Sequence, residues 1–543
     1  MSSSSGSDDL TKEDFFSVGW PEVIAGCEDK ECAYFSSRLA TRARDAEEAG
    51  DTKAGQVLAL LSSLTSMYLK LDSPEEPFGP MMVFHDRRTA IADDFDEKQL
   101  DLLADVVAEV GDPELRARIA DVLWLRRRDH RMAELAVSSY IESAKRLEDP
   151  ERWVGTVDRL QRAMQIAAML GRNSSPFKAV TEHIEGVLDA YKGEDPLFMS
   201  ARLMSILLDR RVGDHTRYAA LAEKLASRAE DAGDWHRARE CWSVKARWHF
   251  LGKDQEGARQ AKLAEAETYV KEAEAHLSGS PPSYMMASAF LQQAIEAFRR
   301  AGGAGERIEE LHRTLLEYQQ RSVSELIPYS ADVDITDIVR AAIDHVKGKA
   351  LFDALMSLAM IGNPPKVDHL RAQAEDNKKR FVLQNIIPRT YLNAMGRVIA
   401  RQPGNEEEYL LADMYSNASN HRALHVQGLV EPARQQVNSE HHVRVQDFLS
   451  LVSNHPFVPR GRELIVALGL NAGMQGDFLT AVHFLIPQLE ESVRYILFQL
   501  GVITSGIDDD GIQDEYNLNR MLSATKYSAP LAKFLGEDFV FDM

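Results

Sequence analysis

A helical period runs through almost the whole of this 543-residue chain. In ELRARIADVLWL from Glu114, RYAALAEKLASRAEDAG from Arg217, HRARECWSVKARWHF from His236 and SAFLQQAIEAFRRAG from Ser288, apolar or small residues recur at i, i+3, i+4 and i+7. That spacing gathers them on one side of a helix, where they can be buried together. Strand-like alternation is nearly absent. Leu, Ala, Arg and Glu, all good helix formers, dominate these segments. The chain is therefore expected to be all-α.

The helix starts repeat loosely. Asp112-Pro113, Asp149-Pro150, Asp195-Pro196, Asp234-Trp235 and Ser280-Pro281 each offer a capping side chain, mostly with Pro at the first helical position. They are roughly 40 residues apart, the spacing of tetratricopeptide or HEAT-like helix pairs. A degenerate α-solenoid is expected over residues 11–330, following a polar tail at 1–10. Each pair would bury itself against its neighbours and leave a surface for a protein partner. SPEEPFGP at 73–80 reads as a break before the repeats, SGSPPS at 278–283 as an interruption, and Ile327-Pro328 to Val333 as their end. A middle helical region follows over 331–455, in which Pro388 is expected to divide KKRFVLQNIIPRTYLNAMGRVIAR into two helices or a helix and a cap. Residues 456–543 form a last helical domain.

Composition narrows the function. No run approaches the roughly 18 apolar residues of a membrane span, and the N-terminal MSSSSGSDD, polar and acidic, is expected to be a floppy tail rather than a secretion signal. Cys27, Cys32 and Cys241 make neither a disulfide framework nor a tetrahedral zinc site, so a reducing cytoplasm is expected. No metal or cofactor is expected. His441-His442 has no spaced partner, and Asp508-Asp509-Asp510-Gly511 lacks the alternation of a calcium loop and reads as a turn before a helix. The formal charge of -21 opposes general binding to nucleic acid and suggests a basic protein partner. One stretch runs the other way. Lys378, Lys379, Arg380, Arg389, Arg397 and Arg401 stand between Asn377 and Asn405 with no acidic residue among them. With Phe381 and Tyr391 they could hold single-stranded RNA by phosphate contact and stacking; the alternative is a positive face paired with the acidic remainder.

Toward the C-terminus, Gly469-x-x-x-Gly473 suits two closely approaching helices, and Gly476-Asp477-Phe478 follows. His483, Glu490 and Arg494 then lie at i, i+7 and i+11 on one helical face, with Leu485, Leu489, Val493, Ile496 and Leu500 on another and Pro487 between. The three polar residues could converge on a pocket. Equally, Glu490 and Arg494 could be an ordinary i, i+4 pair on an exposed helix.

This pattern resembles unknown-function domain 4209, a short helical domain similar to the HEPN group of RNases, over about residues 456–543. The resemblance implies a HEPN-like fold, a homodimer or higher oligomer, and metal-independent RNA cleavage with His483, Glu490 and Arg494 as catalytic residues. The chain would then be an RNA-directed effector, an endoribonuclease or RNA-binding component of a bacterial defence or toxin-like system. The Arg-Asn-x-x-x-His-Gly motif expected a few dozen residues further on does not occur before Met543. Its absence leaves a second expectation open: a non-catalytic α-solenoid scaffold whose C-terminal helices dimerise or dock a partner.

Overall fold

A computed structural model describes residues 10–84, 87–327, 332–380, 390–401 and 406–543. Residues 1–9 of the tail expected at 1–10, and Arg389, Phe381, Pro388 and Pro328 among the residues singled out above, lie outside the described residues. The described chain is all-α apart from four short antiparallel hairpins. No described helix is long and apolar enough to cross a membrane. The chain divides into two compact units, Met1–Glu325 and Leu326–Met543.

In the first unit, short N-terminal helices, among them Lys12–Ser17, Cys32–Glu48, Thr52–Thr65 and Glu97–Val106, precede five helix pairs. The pairs are Pro113–Arg127 with His130–Arg146, Val154–Leu170 with Ser175–Tyr191, Met199–Arg210 with His215–Asp231, Trp235–Leu251 with Gln255–Ser278, and Tyr284–Ala301 with Gly305–Ser322. Each pair opens within five residues of a start anticipated from the sequence. Only some of the anticipated caps are caps. Asp112 accepts from the Glu114 and Leu115 amides at 3.0 Å, and Asp234 from Arg237 at 3.2 Å. Asp149 instead closes a turn on the Glu151 amide, Asp195 is buried before its helix and accepts from the Ser200 amide at 3.1 Å, and the cap at the fifth pair is Ser283 rather than Ser280. The connector between helices is often Gly-Asp. At Gly233 the backbone is left-handed (φ +70°), which glycine adopts without strain, and Asp234 then starts the next helix. Gly50-Asp51, Gly213-Asp214 and Gly476-Asp477 repeat the device.

The break expected at 73–80 is tied onto the repeats that follow it. Phe78–Pro80 pairs with Met67–Leu69 in register Leu69 to Phe78, and the loop carbonyls of Leu71 and Pro74 accept from Gln165 and Arg162 at 2.6 and 2.9 Å. One continuous core runs from Phe15 to Ala261, and a second, smaller one from Ala266 to Leu315.

In the second unit, Thr336–Val346, Leu351–Ala359, Glu431–Glu440, Val445–Val452 and Glu463–Met474 share a core that runs past residue 455 without a break. Residues 390–401 are a hairpin, Thr390–Leu392 against Val398–Arg401, rather than a helix. The β-favouring Tyr391, Val398 and Ile399 flank a turn in which the Asn393 amide bonds the Arg397 carbonyl at 3.0 Å, and this outweighs the helical bias of the neighbouring sequence. The acidic turn at Asp508 leads into the strand Gln513–Glu515, not a helix, because Asp508 accepts from the Asp510 and Ile512 amides and closes a hairpin. Gly469 does serve close packing: a Cβ there would meet Leu485 at 2.7 Å.

Candidate functional site

The structure brings Glu490 and Arg494 together and leaves His483 apart. Arg494 donates to Glu490 at 2.8 Å, to Glu491, and to the Tyr516 carbonyl at 3.2 Å, and lies 3.2 Å from the Glu515 carboxylate. Glu490 also accepts from the Leu518 amide at 3.0 Å. The pair therefore fastens the Phe478–Gln499 helix to the hairpin and helix that follow it. A guanidinium shared among three carboxylates is already neutralised and is a poor phosphate anchor. His483 is exposed, with Nδ1 2.8 Å from the Leu479 carbonyl one turn back, and no carboxylate or guanidinium bonds it among the described residues.

The basic stretch is split by structure. Lys378, Lys379 and Arg380 occupy the last turn of Val367–Arg380, where cations complement the helix dipole, and Arg380 pairs with Asp376 at 2.9 Å. Arg397 and Arg401 stand on the following hairpin, exposed, with Ile399 between them in the strand. Lys378 and Arg401 are both already engaged in further interactions. The described residues hold no cluster of three or more groups suited to a metal ion, and all three cysteines are buried free thiols. Burial pushes Cys241 up to about 12 and Cys32 higher still, so neither is a ready nucleophile.

The densest ionic chemistry lies where it was not anticipated, between the first three stacked helices. Glu114, Arg118 and Asp121 sit at i, i+4 and i+7 on Pro113–Arg127, and all are buried. Arg162, wholly buried, forks onto Asp121 with both bonds at 2.8 Å, and the Tyr140 hydroxyl donates to the same carboxylate at 2.9 Å. Arg159 forks onto Glu114 at 3.1 and 2.6 Å, and Ser143 donates to it at 2.6 Å. Burial pushes the Glu114 carboxyl up, but the Arg159 charge and the hydrogen bonds from Arg159 and Ser143 outweigh it and hold the group at about 2. Arg118 donates to the Met67 carbonyl at 2.6 Å and stacks 4.5 Å from the Phe78 ring centre. These groups satisfy one another and the 67–80 segment; they form a clasp, not an open site. In the sequence Glu114, Arg118 and Asp121 share one helical face, but Arg116, Arg126 and Arg127 in the same helix mask them as ordinary solvated charges.

Beside this clasped region is a groove of about 780 Å³. Thr52–Thr65 contributes Gln56, Ala59, Leu60 and Ser63, and Glu97–Val106 contributes Lys98, Asp101, Leu102 and Asp105. Both sets fall at i, i+3, i+4 and i+7, so two helix faces make the walls. Leu60, Phe95 and Leu102 make an apolar floor. The rim is acidic. Asp101 bonds Arg127 at 2.7 Å, Asp94 is held below the usual carboxylate range by its hydrogen bond with Arg88, Asp96 caps its helix through the Gln99 amide, and Asp105 has no hydrogen bond or ion pair among the described residues. Lys12, which also lines the groove, is tied to Glu109. This agrees with the charge distribution: residues 1–112 hold ten Lys and Arg against twenty-four Asp and Glu, so -14 of the chain's -21 lies ahead of the first helix pair.

Comparison with known proteins places the family signal in this same region. The profile of a domain of unknown function, DUF7380, matches residues 6–179. The match covers the groove, the 67–80 hairpin and every member of the buried clasp. It overturns the resemblance to unknown-function domain 4209 at the other end of the chain. The structure supplies a reason for part of the misleading likeness: Gly476-Asp477, one element of the pattern, is the same helix-to-helix connector found at Gly50, Gly213 and Gly233. No curated protein matches the chain.

Proposed function

We propose that this protein is a non-catalytic helical-repeat scaffold that binds another protein, and that the acidic groove is its principal docking site. The observation that carries this reading is the groove itself: two helix faces over an apolar floor, set in the part of the chain where a buried ionic clasp fixes the N-terminal helices to the stack. Rigid presentation of such a surface is what stacked helix pairs provide. The basic residues at 378–380 and on the 390–401 hairpin leave RNA contact as a second reading, which would need phosphate contacts from Lys379 and Arg397.

Purification of the protein from its own host at low salt tests the proposal. The chain is expected to travel with a second polypeptide in fixed ratio, at a mass above its own 60.9 kDa. Finding it alone under those conditions would overturn the scaffold reading. The same preparation is expected to leave labelled single-stranded RNA intact, and Arg494→Ala should not change that result.

A further inference from the structure

We infer that the occupant of the groove is a basic amphipathic helix of the partner protein. This rests on the scaffold reading and adds to it the chemistry of the bound segment.

The walls point to a helix. Gln56, Ala59, Leu60 and Ser63 on one side and Lys98, Asp101, Leu102 and Asp105 on the other are ridges with helical spacing, and a third helix laid between them meets both with its own i, i+3, i+4 and i+7 residues. The floor of Leu60, Phe95 and Leu102 takes apolar side chains. At 780 Å³ the space accepts the apolar face of about two helical turns rather than a whole helix, so the polar face of the occupant remains at the rim.

The rim sets the charge of that polar face. Four carboxylates, Asp94, Asp96, Asp101 and Asp105, line the groove against two lysines, and the surrounding segment is the most acidic part of the chain. Lys and Arg flanking the apolar stripe of the occupant would meet Asp105, which has no partner among the described residues, and the second carboxylate oxygen of Asp101. Next to the groove, Met81, Met82 and Val83 stand 41, 64 and 66% exposed, and Met82 bonds through its backbone to Thr89, adjacent to the groove-lining Ala90. Exposed methionines adapt to the side chains they meet and extend the apolar contact beyond the floor.

The test uses the full-length protein and two fluorescent 18-residue helical peptides with one apolar pattern, one with lysines and the other with glutamates on the polar face. Anisotropy titrations are made with wild type, Asp105→Lys and Glu48→Lys, the last an equal charge change at an exposed position outside the groove. The lysine peptide is expected to bind the wild type, with affinity roughly tenfold weaker in Asp105→Lys and little changed in Glu48→Lys. Equal binding of the glutamate peptide, equal weakening in both variants, or displacement by spermine at its own free-solution affinity would each overturn the inference. The two readings fail separately. If a second polypeptide from the host accompanies wild type and Asp105→Lys alike, the scaffold stands and the groove is not its docking site; if none accompanies the wild type, the scaffold reading itself falls.

Discussion

The first two helix pairs, from Pro113 to Tyr191, and the three that follow, from Met199 to Ser322, share one architecture but are held together differently. Between the earlier helices lie Glu114, Arg118, Asp121, Arg159 and Arg162, all buried. From Met199 to Ser322 the buried polar residues described are uncharged: Ser200, Thr268, Gln319 and Ser322. There the ion pairs move outward, as in Lys245 with Glu223 at 3.0 Å and Arg247 with Asp209 at 2.6 Å, and alanines such as Ala261, Ala273, Ala287 and Ala294 fill the interior. The difference follows from what each part must hold. A helix satisfies its own backbone, so a later pair draws mainly shape and apolar surface from its neighbour, with Arg228 reaching the Gly193 and Asp195 carbonyls of the linker before it. The earlier pairs must also hold the 67–80 segment, whose carbonyls at Met67, Leu71 and Pro74 need donors from elsewhere. Buried Arg118, Gln165 and Arg162 provide those donors, and buried carboxylates neutralise the arginines. Ionic specificity is therefore concentrated where an irregular segment has to sit in one place.

The largest expected effect tests whether the clasp carries this load. Asp121→Ala leaves the wholly buried Arg162 without its counter-ion, and a loss of about 3–5 kcal/mol is expected from the urea midpoint. Asp121→Leu combined with Arg162→Met should recover only part of it, because the Tyr140 hydroxyl and the Pro74 carbonyl then lose their partners. If Asp121→Ala costs no more than Asp209→Ala, which removes an exposed ion pair, the contrast between the two regions breaks. Acid gives the next largest effect. Glu114 has its carboxyl lowered from 4.5 to about 2 in the folded protein, so its contribution is complete above 4.5 and is lost as the pH falls toward 2. That shift corresponds to about 3 kcal/mol. Unfolding curves recorded across this range should fall more steeply for wild type than for Glu114→Gln, and parallel curves would show that Glu114 is not held as an anion.

How much of this was legible in the sequence depends on the range of the interactions. Helix pairs could be read because their signals are local: apolar periodicity within each helix and a capping residue close to its start. The clasp could not. Glu114 and Arg159 look like solvated residues until two helices distant in sequence face each other, and nothing near Pro74 announces that its carbonyl will meet Arg162. Pro and Gly at 73–80 correctly marked a turn, but punctuation does not reveal whether a turn is tied down. At the C-terminal end, spacing found the Glu490 and Arg494 contact but could not exclude His483 from it, because a shared helical face says nothing of what lies opposite. The groove was missed for the same reason: its two walls are more than thirty residues apart in sequence, and each reads separately as an ordinary amphipathic helix.

The smallest effect concerns the capped turns, and it sharpens the contrast from the other side. Where no buried charge fixes register, the turn between helices should matter more, and Asp234 is the clearest case. Its side chain accepts from the Arg237 amide at 3.2 Å and lies 3.5 Å from the Arg237 guanidinium, while Gly233 before it takes the left-handed conformation that ends the preceding helix. Asp234→Ala removes the acceptor from an orphan helix-terminal amide and should cost about 1 kcal/mol. Asp149 appears at the same repeat spacing but bonds only the Glu151 amide in a turn, and its helix begins later, at Val154, with no side-chain cap. Asp149→Ala should therefore shift the urea midpoint by less than Asp234→Ala does. Amide exchange adds the location: faster exchange confined to the first turn of Trp235–Leu251 would assign the loss to the cap. A loss spread over the whole first unit would mean that the later pairs, like the earlier ones, are held by contacts that reach beyond their neighbours.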